Sequence, residues 1–536
     1  MGPERIDKPV HPNKWLPGDT IRDDTVVSRS VKFTTGVVDY MNRTQFGITK
    51  RGVPLYMMWP IDAGIPPFLV ASKTKPAHNV CVTASYEHWT DTWPRGGIQR
   101  VIGQVGDQAV ERQALLLAAG VEGAPVVATP EILTPVLSHS SPVWDVVLHI
   151  DPEGCADVDD VLAWRRGADD AGDADVLYFA IAIADVAAWV DAGSPLDIQA
   201  AARGQTIYDD GAVVVPMLPH IISTGLASMR RDGLARPVLA LEFELRDGKV
   251  VGSAWRQYMM TVTESYTYDS VARNTDRCAQ LREYLGAVCD TTLPDDSHIW
   301  IERAMVLYNR RAAETLAAAR VGLLRCHKGQ TFEGYHALAE ATGCADLAWL
   351  GLSAGEYVRP DANYGHTGLS MEFYCHASSP LRRYSDLVNQ RWLKHLSCGG
   401  AVAAPTGSGG GASGDAFALN ERARIIKKVE RDLWFLKHLD SSRIITASGF
   451  VIAPSKRASV WSVYVPTWRR QVKCVSEVEL QPGCAVTLRA FTNLKEPQWS
   501  KRLVINASLP RVSASCGLPS PSACGDDDYA GSPSAS

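Results

Sequence analysis

The segment His149-Ile-Asp151-Pro-Glu-Gly154-Cys-Ala-Asp157-Val-Asp159-Asp160-Val161 places four aspartates within ten residues. A strand-like Val146-Val147-Leu148 precedes it and the periodic VLAWRR follows. Pro152 and Gly154 supply turn chemistry, so the chain can fold back and bring Asp151 towards Asp157, Asp159 and Asp160. Carboxylates held that close repel and raise one another's pKa unless a cation lies between them. Hard oxygen donors at this density suit Mg²⁺, with Mn²⁺ as the alternative, ions that keep waters and bind substrate phosphate oxygens. Such a centre can activate water against a phosphodiester. The same spacing also suits an acidic helix cap or a solvated loop, so spacing alone leaves both readings open.

A second reactive run is His376-Ala-Ser-Ser379-Pro380-Leu-Arg382-Arg383-Tyr. Ser379 as N-cap and Pro380 at the first position predict a helix over Pro380–Leu396. Arg382 and Arg383 then fall in its first turn, where free N–H groups and the helix dipole favour phosphate. Arg382 there can hold a non-bridging oxygen and stabilise developing charge. Arg383 reads as a surface residue paired with Asp386. By residue type alone, Tyr208 reads as a core aromatic, and His366 and His376 as structural histidines.

Two kinds of element must position these groups. Short β runs from Val31 to about Gly106 (VKFTTGVVDYM, PLYMMW, FLVAS, VCVTASYEHW, IQRVIGQV) predict a small barrel. From about Val143 to Asp440, strands such as VLYFAIAIADV and VLALEFEL mix with helices over Ile299–Arg320, Pro380–Leu396 and Leu419–Leu439. The Gly-rich stretch 398–416 reads as a flexible surface loop. From Thr446 to Val512, alternating runs predict a second barrel, and the Ser-, Pro- and Asp-rich tail reads as disordered. Lys456–Pro510 carries nine Lys or Arg against three Glu, with Trp461, Tyr464, Trp468 and Phe491 among them. That is the composition of a single-strand groove.

With 536 residues the chain needs more than one core. A net charge of −5 does not advertise a nucleic-acid binder, but a local basic channel can be offset elsewhere. Twelve scattered cysteines without a CxxC pair argue against a zinc site and fit a reducing compartment. The polar N-terminus lacks a signal-peptide core, and the apolar run Val176–Ala184 is far shorter than the ~20 residues that span a bilayer. A cytoplasmic protein is expected, with the nucleus as the alternative.

HIDPEGCADVDD resembles the signature of the ribonuclease II (RNB) family, approximately I-D-P-x-G-[CA]-x-D-[IVM]-D-D, and keeps all four acids. Four further blocks follow in family order: AIAIADVAAWVDAGSPLDIQAAARGQTIY, VPMLPHIISTGLASMRRD, IERAMVLYNRRAAETL with GLLRCH, and HTGLSMEFYCHASSPLRRYSDLVNQRWL. WPRGGIQRVIGQVGDQAVERQALLLAAGV is similar to the end of a second cold-shock barrel, especially in exosome-type eukaryotic members. The resemblance implies an α+β chain, an RNB catalytic domain flanked by small OB-fold β-barrels. Its parts would be an arm (1–30), a cold-shock-like barrel (31–124), the catalytic domain (143–440), a C-terminal OB-fold (446–512) and a tail (513–536). A PIN domain and a first cold-shock domain have no room before residue 31.

The activity implied is hydrolytic 3′→5′ degradation of single-stranded RNA to nucleoside 5′-monophosphates, with Mg²⁺ or Mn²⁺. Asp159 and Arg382 would be catalytic, and Asp151, Asp157, Asp159 and Asp160 would hold metal. Tyr208, Arg382, His376 and Glu430 would contact RNA, Tyr208 by stacking on the last base and Glu430 as a second clamp. The family's usual polar residue before I-A-D is Ala182 here, and T-S-P-I-R-R-Y becomes Ser-Ser-Pro-Leu-Arg-Arg-Tyr. Neither change removes an acid or Arg382. RNA is the expected partner, an RNA-decay complex is a further one, and no oligomer is implied. The competing expectations are an RNB-fold scaffold without turnover and a nuclease acting on DNA.

Overall fold

Strands β1 (Thr20–Arg22) and β2 (Thr25–Ser28) form an antiparallel hairpin where the sequence suggests only an arm. Next come β3 (Phe33–Val38), β4 (Leu55–Pro60), β5 (Phe68–Ala71), β6 (Val80–His88) and β7 (Arg95–Gln104), which close a barrel in the order β3-β4-β5-β7-β6. Val38, Met58, Phe68, Val70 and Val82 fill its interior. Gly36 is required on β3: a Cβ there would stand 2.5 Å from the Trp59 carbonyl oxygen on β4. Helix α1 (Gln108–Ala118) follows, N-capped by the Asp107 carboxylate, which accepts from the Ala109 and Val110 N–H groups. The computed structural model describes residues 14–510 apart from 122–140, 168–175, 329–332, 351–353, 399–414, 439–442 and positions 18, 24, 30, 45 and 210. Most of the Gly-rich loop and the whole C-terminal tail of the sequence reading lie outside the described residues.

The central domain is built on a six-stranded sheet. β8 (Val146–Ile150), β9 (Asp160–Gly167) and β10 (Val176–Ala184) are consecutive antiparallel strands. Helix α2 (Pro195–Arg203) and a hairpin of β11 (Ile207–Asp209) and β12 (Ala212–Val215) follow before the chain returns as β13 (Ala235–Arg246), β14 (Lys249–Thr261) and β15 (Glu264–Tyr266). The sheet order is β14-β13-β10-β9-β8-β15, antiparallel except for the parallel β15–β8 edge. β10 is buried on both faces, which its unbroken apolar run requires. Phe179, Ile181 and Ile183 point to one core, shared with α4 (Thr275–Cys289) and α5 (Ser297–Ala319), which follow the short α3 (Tyr268–Val271). Ala180, Ala182 and Ala184 point to the other.

The remainder of the domain comprises β16 (Leu324–Cys326), α6 (Glu333–Thr342), α7 (Asp346–Trp349), β17 (Glu356–Val358), α8 (Tyr384–Ser397) and α9 (Ala416–His438). Ile426, Val429 and Leu433 of α9 pack with Leu115 of α1 and Val37 of the first barrel. A second closed barrel, in the order β18-β19-β20-β22-β21, is formed by β18 (Ile445–Pro454), β19 (Val460–Val465), β20 (Arg470–Ser476), β21 (Ala485–Thr492) and β22 (Leu503–Ser508). A buried ion pair, Arg502 with Glu111, ties it to α1. Among the described residues no helix is long and apolar enough to cross a membrane.

The small face of β10 explains Ala182, which is fully buried. Ala182→Leu should overpack that layer and lower stability by about 1–3 kcal/mol. Urea unfolding followed by tryptophan fluorescence would measure it, and an unchanged midpoint would mean the layer has room.

Candidate active site

The loop from β8 to β9 carries the aspartates, and its shape follows from a few local bonds. Cys155 N–H donates to the Pro152 carbonyl at 3.2 Å, and Gly154 takes φ +81°, a conformation that favours glycine. The buried Ser228 hydroxyl accepts from Val158 N–H at 3.0 Å and donates to the Ala156 carbonyl at 2.7 Å. Asp151 N–H pairs with the Tyr266 carbonyl, while its carboxylate lies 2.8 Å from His149 Nδ1. Asp160 opens β9.

Asp159 is the buried member, at 5% exposure. Its Oδ1 accepts from Leu381 N–H at 2.9 Å, and its Oδ2 lies 3.4 Å from Arg382 Nε. Burial pushes this carboxyl up to about 7, although Arg382 and the Leu381 N–H pull it down. Burial raises Asp160 well above the ordinary carboxylate range, and the charges of Asp151 and Asp159 add to the shift. Like charges therefore share a poorly solvated space, and a cation would relieve them.

Two more groups face the loop. Tyr208 on β11 donates its hydroxyl to Asp157 Oδ2 at 3.2 Å, and its N–H lies 3.4 Å from Glu430 Oε1 on α9. The chain just before β11 pairs with the arginine segment: Thr206 N–H donates to the Arg382 carbonyl at 2.9 Å, and Tyr384 N–H donates to the Gly204 carbonyl at 2.8 Å. Tyr208, Arg382 and the aspartate loop thus form one hydrogen-bonded assembly.

Comparison with known proteins agrees with this architecture. A model of the RNB domain matches residues 144–285 and 285–398, and a Dis3-like cold-shock domain 2 (CSD2) model matches 55–120. The chain carries an RNB domain. Exoribonuclease 2 of Enterobacter sp. (strain 638) is 26% identical over 380 residues, 56% of this chain and 57% of that protein. The probable exosome complex exonuclease RRP44 of Caenorhabditis elegans is 23% identical over 441 residues, 64% of this chain and 45% of its own. This RNB-domain chain spans about half the length of the curated relatives it matches. By structure it resembles the apo form of Mycoplasma genitalium RNase R, with TM-score 0.66, 16% identity and 90% of both chains covered. It also resembles yeast Ssd1, a pseudonuclease, with TM-score 0.63 and 14% identity over 87% of this chain and 69% of that one. At those identities the likeness is one of fold.

The RNB-domain site departs from the sequence reading at several residues. Ser379 does not cap a helix starting at Pro380. Its carbonyl accepts from the N–H groups of Arg382 and Arg383 in a tight turn, and α8 begins at Tyr384. Leu381 N–H is taken by Asp159, and extended Arg383 (φ −132°) bridges Gln205, so tertiary partners override the capping signal. Arg382 therefore sits ahead of the helix, not in its first turn. Arg383 does pair with Asp386, at 3.0 and 2.8 Å, but Asp386 is completely buried, so this is not a surface pair. His376 Nδ1 shares a hydrogen bond with the Tyr357 hydroxyl, at 2.9 Å. Burial, and then Arg383 and Arg325, hold it well below the usual histidine range and hence neutral. In the second barrel Tyr464 is buried and donates to Asp346 at 2.8 Å, so it is no base platform. Trp461 packs against the barrel core.

The sequence reading also misses Tyr268. Burial raises its phenol to about 12, with Asp160 and Asp151 adding to the shift, and its ring stacks on His298 at 3.9 Å. Only the parallel pairing of β15 with β8, which leads the chain to Tyr268 beside the aspartates, puts it there.

Among the described residues no three His, Cys, Asp or Glu side chains already converge into a metal cage. The donors present are carboxylate oxygens, and Mg²⁺ commonly takes one or two of these plus waters and substrate phosphates. An open oxygen site fits that ion better than it fits zinc. Because the folded Asp159 carboxyl titrates above its unfolded value, its contribution to stability is present at low pH and is lost as pH rises through about 7, and Asp160 is shifted in the same direction. In chelator at pH 8, Asp160→Asn should therefore raise the unfolding midpoint by about 2–4 °C. The gain should shrink towards pH 5.5, where protonation relieves the same repulsion. Thermal unfolding across that range checks this, and equal midpoints at pH 8 would show that no such repulsion exists.

Proposed function

We propose that this chain is a metal-dependent hydrolytic exoribonuclease that shortens single-stranded RNA from its 3′ end and releases nucleoside 5′-monophosphates. The reading is carried by one observation, the buried Asp159 that faces Arg382 and receives the Leu381 N–H. The exoribonuclease relatives support it, and M. genitalium RNase R has also been solved with ribose methylated single-stranded RNA. RRP44 is described as part of an exosome complex, which makes an RNA-decay assembly the natural partner class.

In this mechanism the 3′-terminal base stacks on Tyr208, a contact tolerant of base identity. Asp151, Asp157, Asp159 and Asp160 are the residues that would hold Mg²⁺ or Mn²⁺, which supplies Lewis acidity and a more acidic water. Arg382, with 48% of its side chain exposed, grips a non-bridging oxygen of the scissile phosphate while Asp159 fixes its direction. Glu430 fastens the strand that carries Tyr208. Further out, Arg470 lies over Trp434, and Trp434 meets Trp468 at 5.9 Å, offering cation and ring contacts to the incoming strand.

An RNA-binding protein without turnover is the second reading, favoured by the likeness to a pseudonuclease. The deciding assay gives wild type, Asp159→Asn and Arg382→Ala a 5′-labelled single-stranded RNA with Mg²⁺, alongside a 3′-phosphate-blocked RNA and the equivalent DNA. The nuclease reading expects a ladder shortening from the 3′ end, mononucleotide product, and rates about 10²–10³-fold lower in Arg382→Ala. Asp159→Asn should leave no ladder. RNA bound but intact with Mg²⁺ and Mn²⁺ would establish the scaffold reading instead.

A further inference from the structure

Asn309 lies in the middle of α5 and is 3% exposed. Its side chain is spent on the segment that leads to the arginines. Ala377 N–H, which can only donate, reaches Asn309 Oδ1 at 2.9 Å. That fixes the amide's orientation, so Nδ2 donates to Tyr374 Oη and Ser378 Oγ, both at 3.2 Å. The backbone carbonyl of Asn309 accepts from Cys375 Sγ at 3.3 Å. Four bonds thus run from one turn of α5 to four of the five residues 374–378.

The next residue, Ser379, touches Arg382 directly. Its hydroxyl accepts from Arg382 Nη2 at 3.2 Å, and its carbonyl accepts the Arg382 N–H. Helix α5 is in turn fastened to the sheet, since Tyr308 Oη donates to the Leu239 carbonyl on β13 at 3.2 Å. The same sheet carries the aspartate loop between β8 and β9. A guanidinium on a flexible stem acts on a phosphate only if its base is held within a fraction of an ångström of its place. Asp159 holds Arg382 from the front, and Asn309 holds the backbone behind it.

We infer that Asn309 is a positioning residue, which transmits the register of the sheet through Ser378 and Ser379 to Arg382 and thereby sets the rate of phosphodiester cleavage without touching RNA. This rests on the nuclease reading above. It predicts an unusual energetic signature: removing Asn309 should matter only while Arg382 is present, because residues acting through a shared partner are not additive.

The test measures kcat and KM on single-stranded RNA for wild type, Asn309→Ala, Arg382→Ala and the double variant. Asn309→Ala should lower kcat about 10–100-fold with KM within about 3-fold, and should cost less than about 2-fold more in the Arg382→Ala background. The near-isosteric Asn309→Asp loses both Nδ2 donors and should fall with it. If either folds poorly, Ser378→Ala and Tyr374→Phe each remove one acceptor on the surrounding segment and should give about 3–10-fold losses with the same dependence on Arg382. Equal losses in both backgrounds, or a rise in KM at constant kcat, would overturn the inference while leaving the nuclease reading intact. A wild-type chain that leaves RNA uncut would sink that reading and this inference with it.

Discussion

The assembly at the centre of this chain depends on one buried carboxylate. Asp159 reaches across 222 positions of sequence to accept the Leu381 N–H, and its second oxygen faces Arg382. A carboxylate at that depth is costly unless it is hydrogen-bonded and paired. Here the backbone donor and the guanidinium meet much of the cost, and burial still wins, since the carboxyl is raised to about 7. The neighbouring Asp160 is raised as well, by burial and by the charges of Asp151 and Asp159. The fold therefore brings together charges that it does not itself fully compensate, a state that the proposed metal-dependent reading would relieve with a cation.

Rigid elements surround this unbalanced group on each side. β8 and β9 hold the ends of the loop, Ser228 pins its middle, and the pairing of residues 204–206 with the arginine segment locks Tyr208 to Arg382. The bulky face of β10 supports the helices that reach the arginine segment from behind, while its alanine face lets the second core come close. Packing and these hydrogen bonds together set the distances on which catalysis would rely.

The sequence carries part of this openly. Four aspartates around a Pro–Gly turn, two flanking β-rich regions and the ordered family blocks are enough to anticipate the barrels, the central domain and the acidic loop. Local signals mislead where a distant partner is stronger. Ser379-Pro380 has the chemistry of a helix start, yet Asp159 takes the Leu381 N–H and Gln205 pairs with Arg383, so the helix waits until Tyr384. Tyr464 has the composition of a base platform, yet Asp346 of another element claims its hydroxyl. Tyr268 and Asn309 have no spacing signature at all, because strand pairing and helix packing alone bring them to their places.

Hydrogen exchange at the peptide spanning 377–384 tests the keystone most directly, in wild type, Asp159→Asn and Asp159→Ala. The asparagine keeps an oxygen for the Leu381 N–H and the alanine does not. Exchange should stay near wild type in Asp159→Asn and speed up by on the order of 10-fold in Asp159→Ala, the loss of about one hydrogen bond to a buried group. Indistinguishable exchange in all three proteins would mean that Asp159 does not hold the arginine segment, and the link between the acidic loop and Arg382 would have to be abandoned.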